Sequence, residues 1–301
     1  MKLLVTGANG FLGSHLVKHF VKKGDEVYAI SLHTHRLTDV LDQIQYSACP
    51  INVITALESR IHQFNPDVIL HLAWQGGNSY SSIHSNSQFK QNLPGLADLM
   101  EIMERHNLYR FVCVGSAAEY GDHRSQIKET AATKPTSLYG TCKLMAKQYT
   151  EQFCKQRGIN WTWLRPFYTF GPDDVPTRLV PSVITKCLKK EEIQLNDCEM
   201  LVDYLYITDF VDAVDALITN RKVGVYNICS GKANMVKNIV DDIAIKTQNE
   251  ANIHKGVIPN RPDMPDSILG NSSKLSTDTG WYPKIGLNEG ISKTIEFYKT
   301  V

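Results

Sequence analysis

Thr6-Gly7-Ala8-Asn9-Gly10-Phe11-Leu12-Gly13 constrains the fold of this chain more than any other stretch. An apolar run, Leu3-Leu4-Val5, leads into it, and a segment of helical periodicity at 11–22 leads out, with Phe11, Leu12, Leu16, Phe20 and Val21 apolar. Glycines spaced three and three let the backbone turn tightly from strand to helix. They also let a diphosphate approach the helix N-terminus, where free N–H groups and the helix dipole favour negative charge. A second strand at 26–31 follows in step. That setting makes Gly7, Gly10, Phe11, Leu12 and Gly13 a dinucleotide cradle rather than a bare turn.

Further short apolar runs at 67–73, 110–115 and 160–164 alternate with helical patterns at 51–65 and 93–106. Such alternation predicts βαβ units in an α/β fold, a doubly wound parallel sheet of Rossmann-like type. Beyond Pro166 the pattern loosens, with prolines at 166, 172, 176 and 181 and later at 259, 262 and 265. Helical segments persist at 180–190, 207–219, 236–247 and 288–298. The chain therefore divides into a dinucleotide-binding domain, 1–165, and a smaller mixed substrate lobe, 166–301, parts of which pack back onto the first.

Composition narrows the setting. Hydrophobic residues make up 43% and charged ones 21%, and the formal net charge is +1, which supplies no electrostatic footprint for nucleic acid or an anionic membrane. Lys186, Lys189 and Lys190 are followed at once by Glu191 and Glu192 and read as a solvated helix end. The seven cysteines have neither a disulfide-framework count nor metal-ligand spacing, so no metal is expected. The first apolar run is too short for a signal peptide, and no stretch reaches the roughly 20 apolar residues of a membrane span. A soluble cytoplasmic protein is the expectation.

At the end of its second strand an NAD site usually places an acid to take the ribose hydroxyls. Ile30-Ser31-Leu32-His33 carries none, and His35 and Arg36 follow. Ser31 and Arg36 suit a 2′-phosphate that a carboxylate would repel, so NADP(H) is favoured and NAD(H) stays open. The plainer alternative makes Arg36 a solvated loop residue. Further on, Tyr139 and Lys143 lie four residues apart on one helix face. A neighbouring ammonium lowers the pKa of a phenol and so fits it for proton exchange near neutrality. Ser116 follows a predicted parallel strand and points at the crevice where ligands of open sheets sit, where a hydroxyl can polarise a carbonyl.

Taken together, these residues resemble the extended short-chain dehydrogenase/reductases, above all their nucleotide-sugar epimerases, dehydratases and reductases. The resemblance runs over nearly the whole chain: the glycine loop, His71-Leu72-Ala73, Asn92, Ser116 with Tyr120-Gly121, Tyr139 with Lys143, and Leu164-Arg165-Pro166 ahead of Phe170-Gly171-Pro172. It continues in the segments beginning at Asp203 and Tyr226, in Arg261-Pro262-Asp263 and in Gly280-Trp281-Tyr282-Pro283. It implies a catalytic triad of Ser116, Tyr139 and Lys143, the last two also holding the nicotinamide ribose. It adds Leu72, Ala73 and Asn92 to the cofactor site. It also implies a homodimer paired through helices such as 93–106 and 139–156.

Departures from the family pattern narrow the reaction. Ala117 and Ala118 stand where sugar 4,6-dehydratases carry an Asp-Glu pair, and neither can transfer a proton. Ala118 and Asp173 stand where fucose-synthase-like enzymes place a cysteine and a histidine. Val202 replaces the usual phosphate-binding arginine, Arg261 keeps the second phosphate position, and Arg178 either compensates or is a surface loop residue. Tyr168 replaces an asparagine, and Trp74, with Gln75, Gly76 and Gly77, is expected to shape the sugar side of the cleft. His71 reads as a structural strand-end residue. The substrate set is then Trp74, Ser116, Tyr168, Arg178 and Arg261, serving an NAD(P)-dependent reductase of a nucleotide-linked 4-keto-6-deoxy sugar with Tyr139 as proton donor. The alternatives are a 4-epimerase with tightly held NAD, a reductase of a non-sugar ketone, and a dinucleotide-binding sensor without chemistry. The intact triad speaks against the last, and the Arg261 segment against an uncharged substrate.

Overall fold

The computed structural model describes residues 1–77, 80–123, 125–261 and 265–300. Among them, β1 (Lys2–Thr6), β2 (Glu26–Ser31), β3 (Gln45–Ala48), β4 (Val68–His71), β5 (Arg110–Val114) and β6 (Asn160–Pro166) join an edge strand, Gly224–Ile228, in one seven-stranded sheet. From that edge the order is β6, β5, β4, β1, β2, β3. β1 pairs in parallel with β2 and β4, and β2–β3, β4–β5 and β5–β6 are parallel too. The winding direction reverses between β1 and β4, so the carboxyl ends of these two strands flank a topological switch point. Thr6 lies there, opposite Ile30 on one side and His71 on the other.

Both faces of the sheet are covered, which is why its strands read as continuous apolar runs rather than alternating ones. Leu4, Ile69, Phe111 and Trp163 point to one face. They are buried there with Ile61 of α2 (Glu58–Phe64), Leu99 of α4 (Ser87–Arg105) and Phe153 of α5 (Leu138–Arg157). α1 (Phe11–Lys22) buries Leu16, Val17 and Phe20. A single turn, α3 (Tyr80–Ile83), precedes α4.

Two expected helices differ in their ends. The 51–65 pattern is a 3-10 segment, Ile51–Leu57, interrupted at Val53 (φ −131°), followed by the shorter α2. The helix expected at 93–106 begins earlier, at Ser87, and runs through Pro94. Proline lacks the N–H that would bond Lys90, and a sequence reader stops there; the flanking turns carry the helix across. β3 and the edge strand Gly224–Ile228 lie outside the expected strand set.

The chain forms two compact units: Met1–Glu119, Ser137–Arg165 and Leu217–Tyr226 in the first, Tyr120–Thr136, Pro166–Ala216 and Asn227–Val301 in the second. In the second, strand Tyr168–Phe170 pairs in parallel with Tyr204–Tyr206, and Leu201–Val202 lies between Asn234–Met235 and Ser267–Ile268. The fully buried Asp203 pins its loops together, accepting bonds from the Ser230 N–H and hydroxyl and from the Gly231 and Gly270 N–H groups.

Candidate active site

The site begins at the β1–α1 turn. Gly7 has φ +69°, and a Cβ there would lie 2.6 Å from the Ala73 nitrogen, so the loop closes against the end of β4 only with glycine. A Cβ at Gly13 would strike the Gly7 carbonyl, whereas at Gly10 the nearest atom is that carbonyl at 3.1 Å. Gly10 is the N-cap of α1 and supplies no side-chain cap, so the first N–H groups of Phe11, Leu12 and Gly13 are left for an anion. This cradle fits the diphosphate of a dinucleotide. Leu72 and Ala73 are tied to it by the Leu72 N–H on the Thr6 carbonyl (3.1 Å) and the Ala73 N–H on Thr6 Oγ1 (3.3 Å).

At the end of β2, Ser31 donates its hydroxyl to the His33 carbonyl at 2.7 Å. Arg36 lies against the glycine loop: its N–H bonds Asn9 Oδ1 (2.8 Å), and Nη1 reaches the Asn9 carbonyl (3.4 Å) and His35 Nε2 (2.9 Å). The guanidinium is thus held beside the dinucleotide cradle.

Ser137 caps α5 by accepting the Gly140 N–H at 3.1 Å, and the first two turns of the helix then present Tyr139 and Lys143 on one side. Lys143 is only 4% exposed. Its Nζ donates to the Val114 carbonyl at the end of β5 (2.7 Å) and sits 3.8 Å from the centre of the Trp74 ring and 5.9 Å from that of Tyr139. Burial pulls the Lys143 amine down to about 8, with Cys113 and Glu119 opposing. The same burial drives the His71 imidazole down to about 3, the Lys143 charge adding to the effect. His71 Nδ1 shares a 2.7 Å bond with Thr6 Oγ1, and its Nε2 has no partner among the described residues. Buried at the end of β4 and bonded to Thr6, the ring ties that strand end to β1.

Trp74 touches both Tyr139 and Lys143. Its ring meets Tyr139 edge to face (6.3 Å between centroids) and lies under the Lys143 ammonium. Its Nε1–H is fixed by Gln88 Oε1 at 2.7 Å. The fully buried Gln88 also donates to the Gly76 and Ser82 carbonyls. Asn92, expected at the cofactor, lies one turn along α4. Its Oδ1 accepts the Gln75 N–H (2.7 Å) and its amide donates to the Gln75 and Gln88 carbonyls, so it braces the 74–77 loop. Gln88 escaped sequence reading, although its spacing from Asn92 puts both on one helix face.

Ser116 follows β5. Its Oγ accepts the Ala118 N–H at 3.1 Å, which leaves the hydroxyl hydrogen to donate, and its N–H bonds Glu119 Oε1 at 2.9 Å. Glu119 is a second residue that sequence reading missed.

The remaining substrate candidates belong to the second unit. The Tyr168 ring packs tilted against Tyr204 at 5.3 Å, and Arg178, at the N-cap of Leu179–Leu188, pairs with buried Asp174 at 3.2 Å. Val202 is buried in its small sheet and offers only methyl groups. Arg261 is exposed, while the Pro262 and Asp263 of its motif lie outside the described residues.

A phosphate cradle at a sheet's switch point, with a buried lysine one turn from a tyrosine, defines a nicotinamide-dependent oxidoreductase. Residues 3–229 match the model of the NAD dependent epimerase/dehydratase family. A dTDP-6-deoxy-L-talose 4-dehydrogenase (NAD(+)) of Aggregatibacter actinomycetemcomitans is 30% identical over 80% of this chain and 89% of its own. The crystal structure of the Thermotoga maritima UDP-glucose 4-epimerase with UDP-glucose superposes with a TM-score of 0.92 at 25% identity, covering 100% of this chain and 99% of that one. MoeE5 in complex with UDP-glucuronic acid and NAD gives 0.90 at 26% identity, covering 100% and 99%. The chain belongs to the NAD dependent epimerase/dehydratase family, within the extended short-chain dehydrogenase/reductases. It is an enzyme of that nicotinamide-dependent class.

Proposed function

We propose that the chain reduces the ketone of a nucleotide-linked 4-keto-6-deoxy sugar. The observation that carries this reading is the Lys143 ammonium, buried between the Val114 carbonyl, Trp74 and Tyr139 at the end of β5, directly ahead of Ser116. When bound, the dinucleotide supplies the hydride. Ser116 donates its hydroxyl hydrogen to the ketone oxygen and steadies its growing negative charge. Tyr139 then delivers a proton to that oxygen, its phenol kept acidic by Lys143. Lys143 also holds the nicotinamide ribose. Ala117 and Ala118 offer neither acid nor base for eliminating water. The 4-dehydrogenase among the relatives is named for the reverse of this redox step.

A second reading, 4-epimerisation with retained NAD, uses the same three residues and has the Thermotoga maritima epimerase on its side. For the substrate, Arg261 and Arg178 are the cations we assign to the diphosphate, and Tyr168 with Trp74 to the sugar. For the cofactor we propose a preference for NADPH, since Ser31 and Arg36 meet the ribose where a carboxylate would stand. The family description and the MoeE5 complex both carry NAD. Among the described residues no helix is long and apolar enough to cross a membrane. The free, buried cysteines accord with a reducing cytoplasm, and a homodimer through α4 and α5 completes the reading.

The test is mass spectrometry of products from a panel of nucleotide-linked 4-keto-6-deoxy sugars, with NADPH and NADH. Reduction consumes one dinucleotide per turnover and adds two hydrogens. A 4-epimerase instead yields an isomer of unchanged mass without net consumption, and that outcome selects the second reading. Tyr139→Phe should lower turnover by at least about 100-fold with little change in dinucleotide affinity. A clear preference for NADH in direct titration removes the assignment of Arg36.

A further inference from the structure

The Glu119 carboxylate has no exposed surface, and Arg165 beside it is 3% exposed. A plain ion pair would need only the 2.8 Å contact from Arg165 Nε to Oε2. The other oxygen does more: Oε1 accepts both the Ser116 N–H at 2.9 Å and the Trp163 Nε1–H at 2.8 Å. The backbone crosses directly over this oxygen, for a side chain at Gly115 would run into Trp163 Nε1 and Glu119 Oε1. The link to Ser116 is reciprocal. The Glu119 N–H returns to the Ser116 carbonyl at 3.2 Å, closing the one-turn 3-10 segment Ala117–Glu119, whose Ala118 N–H holds Ser116 Oγ.

We propose that Glu119 is a positioning residue for the reaction: its carboxylate, seated by Trp163 and Arg165, grips the Ser116 amide and so fixes the direction of the Ser116 hydroxyl. This rests on the reading of Ser116 as the group that polarises the ketone. A neutral side chain of the same shape cannot replace it. Each carboxylate oxygen accepts from every side, whereas one end of an amide is a donor and would face Arg165 or the Ser116 N–H. The charge has a second effect, because Glu119 helps keep buried Lys143 protonated.

The experiment is Glu119→Gln in the full-length enzyme. A displaced carbonyl donor should cost at least about 10-fold in kcat. Loss from the transition state alone should leave KM within about threefold. The alkaline limb of the kcat/KM profile should move to lower pH, since a charge favouring protonated Lys143 is gone. Without substrate, the Ser116 amide proton should move upfield in the NMR spectrum as its bond to a carboxylate weakens. A lower melting temperature with the Ser116 resonance and kcat unchanged would mean that the pair only holds the fold together, and the proposal is overturned. If Glu119→Gln does not fold, Trp163→Phe removes one of the two donors on Oε1 without touching the charge. The Ser116 amide should then move downfield, and an unmoved resonance again overturns the proposal. Ser116→Ala keeps the two ideas apart: full turnover there rejects Ser116 as the polarising group, while the amide shifts still report on Glu119.

Discussion

Lys143 is a cation held where water cannot reach it, and Trp74 joins the Val114 carbonyl and Glu119 in offsetting that cost. An ammonium over an indole face gains about 0.5–2 kcal/mol, the larger figure where the pair is desolvated. The Lys143 amine titrates near 8, below its ordinary 10.5, so it is charged below that pH and neutral above it. If the charged form is what acidifies Tyr139 and holds the ribose, kcat/KM falls as pH rises through about 8. Trp74→Leu removes the ring and favours the neutral amine, so the limb should move to lower pH, by up to about 1.5 units. Trp74→Phe, with a weaker face, should move it less. An identical pH profile in all three proteins would reduce Trp74 to a space-filling role.

The β1–α1 turn separates what folding requires from what binding requires. Gly13 packs its α-carbon against the Gly7 carbonyl, so Gly13→Ala forces the turn open. Overpacking of this kind costs about 1–3 kcal/mol, and the melting temperature should drop by several degrees. Gly10 meets only that same carbonyl, at 3.1 Å. Gly10→Ala should therefore melt close to wild type yet bind dinucleotide about tenfold more weakly, because its methyl stands where the diphosphate approaches. Equal melting losses in the two variants would contradict this division. The turn was legible in sequence because every part of it lies within eight consecutive residues, Thr6 to Gly13. β3, Gln-Tyr-Ser-Ala, was not, since it has hardly any apolar alternation and is a strand through pairing with β2. Gln88 and Glu119 were missed for a related reason. Periodicity says which face of an element is buried, but not that Trp163 and Arg165, 44 and 46 residues away, complete the Glu119 site. Pattern pointed to the proposed catalytic residues; long-range pairing supplies their supports.

For the molecule as a whole, the proposed homodimer has a surface to test. Phe89 on α4 and Tyr149 on α5 are large apolar side chains that are 50% and 40% exposed. Sedimentation should give a dimer at micromolar concentration, and Phe89→Glu with Tyr149→Glu should shift it to monomer; a wild-type monomer excludes that interface. The division of the chain into two units has a consequence of another kind. It passes between them at 119/120, 136/137, 165/166, 216/217 and 226/227. The edge strand of the main sheet, Gly224–Ile228, is therefore made only after residues 166–216 of the other unit. On the ribosome, β6 emerges with no neighbour on that side and keeps an open row of backbone donors and acceptors until some 60 further residues have been added, a few seconds at ordinary translation speeds. Throughout that interval the growing sheet has a bare border beside β6, open to pairing with other chains.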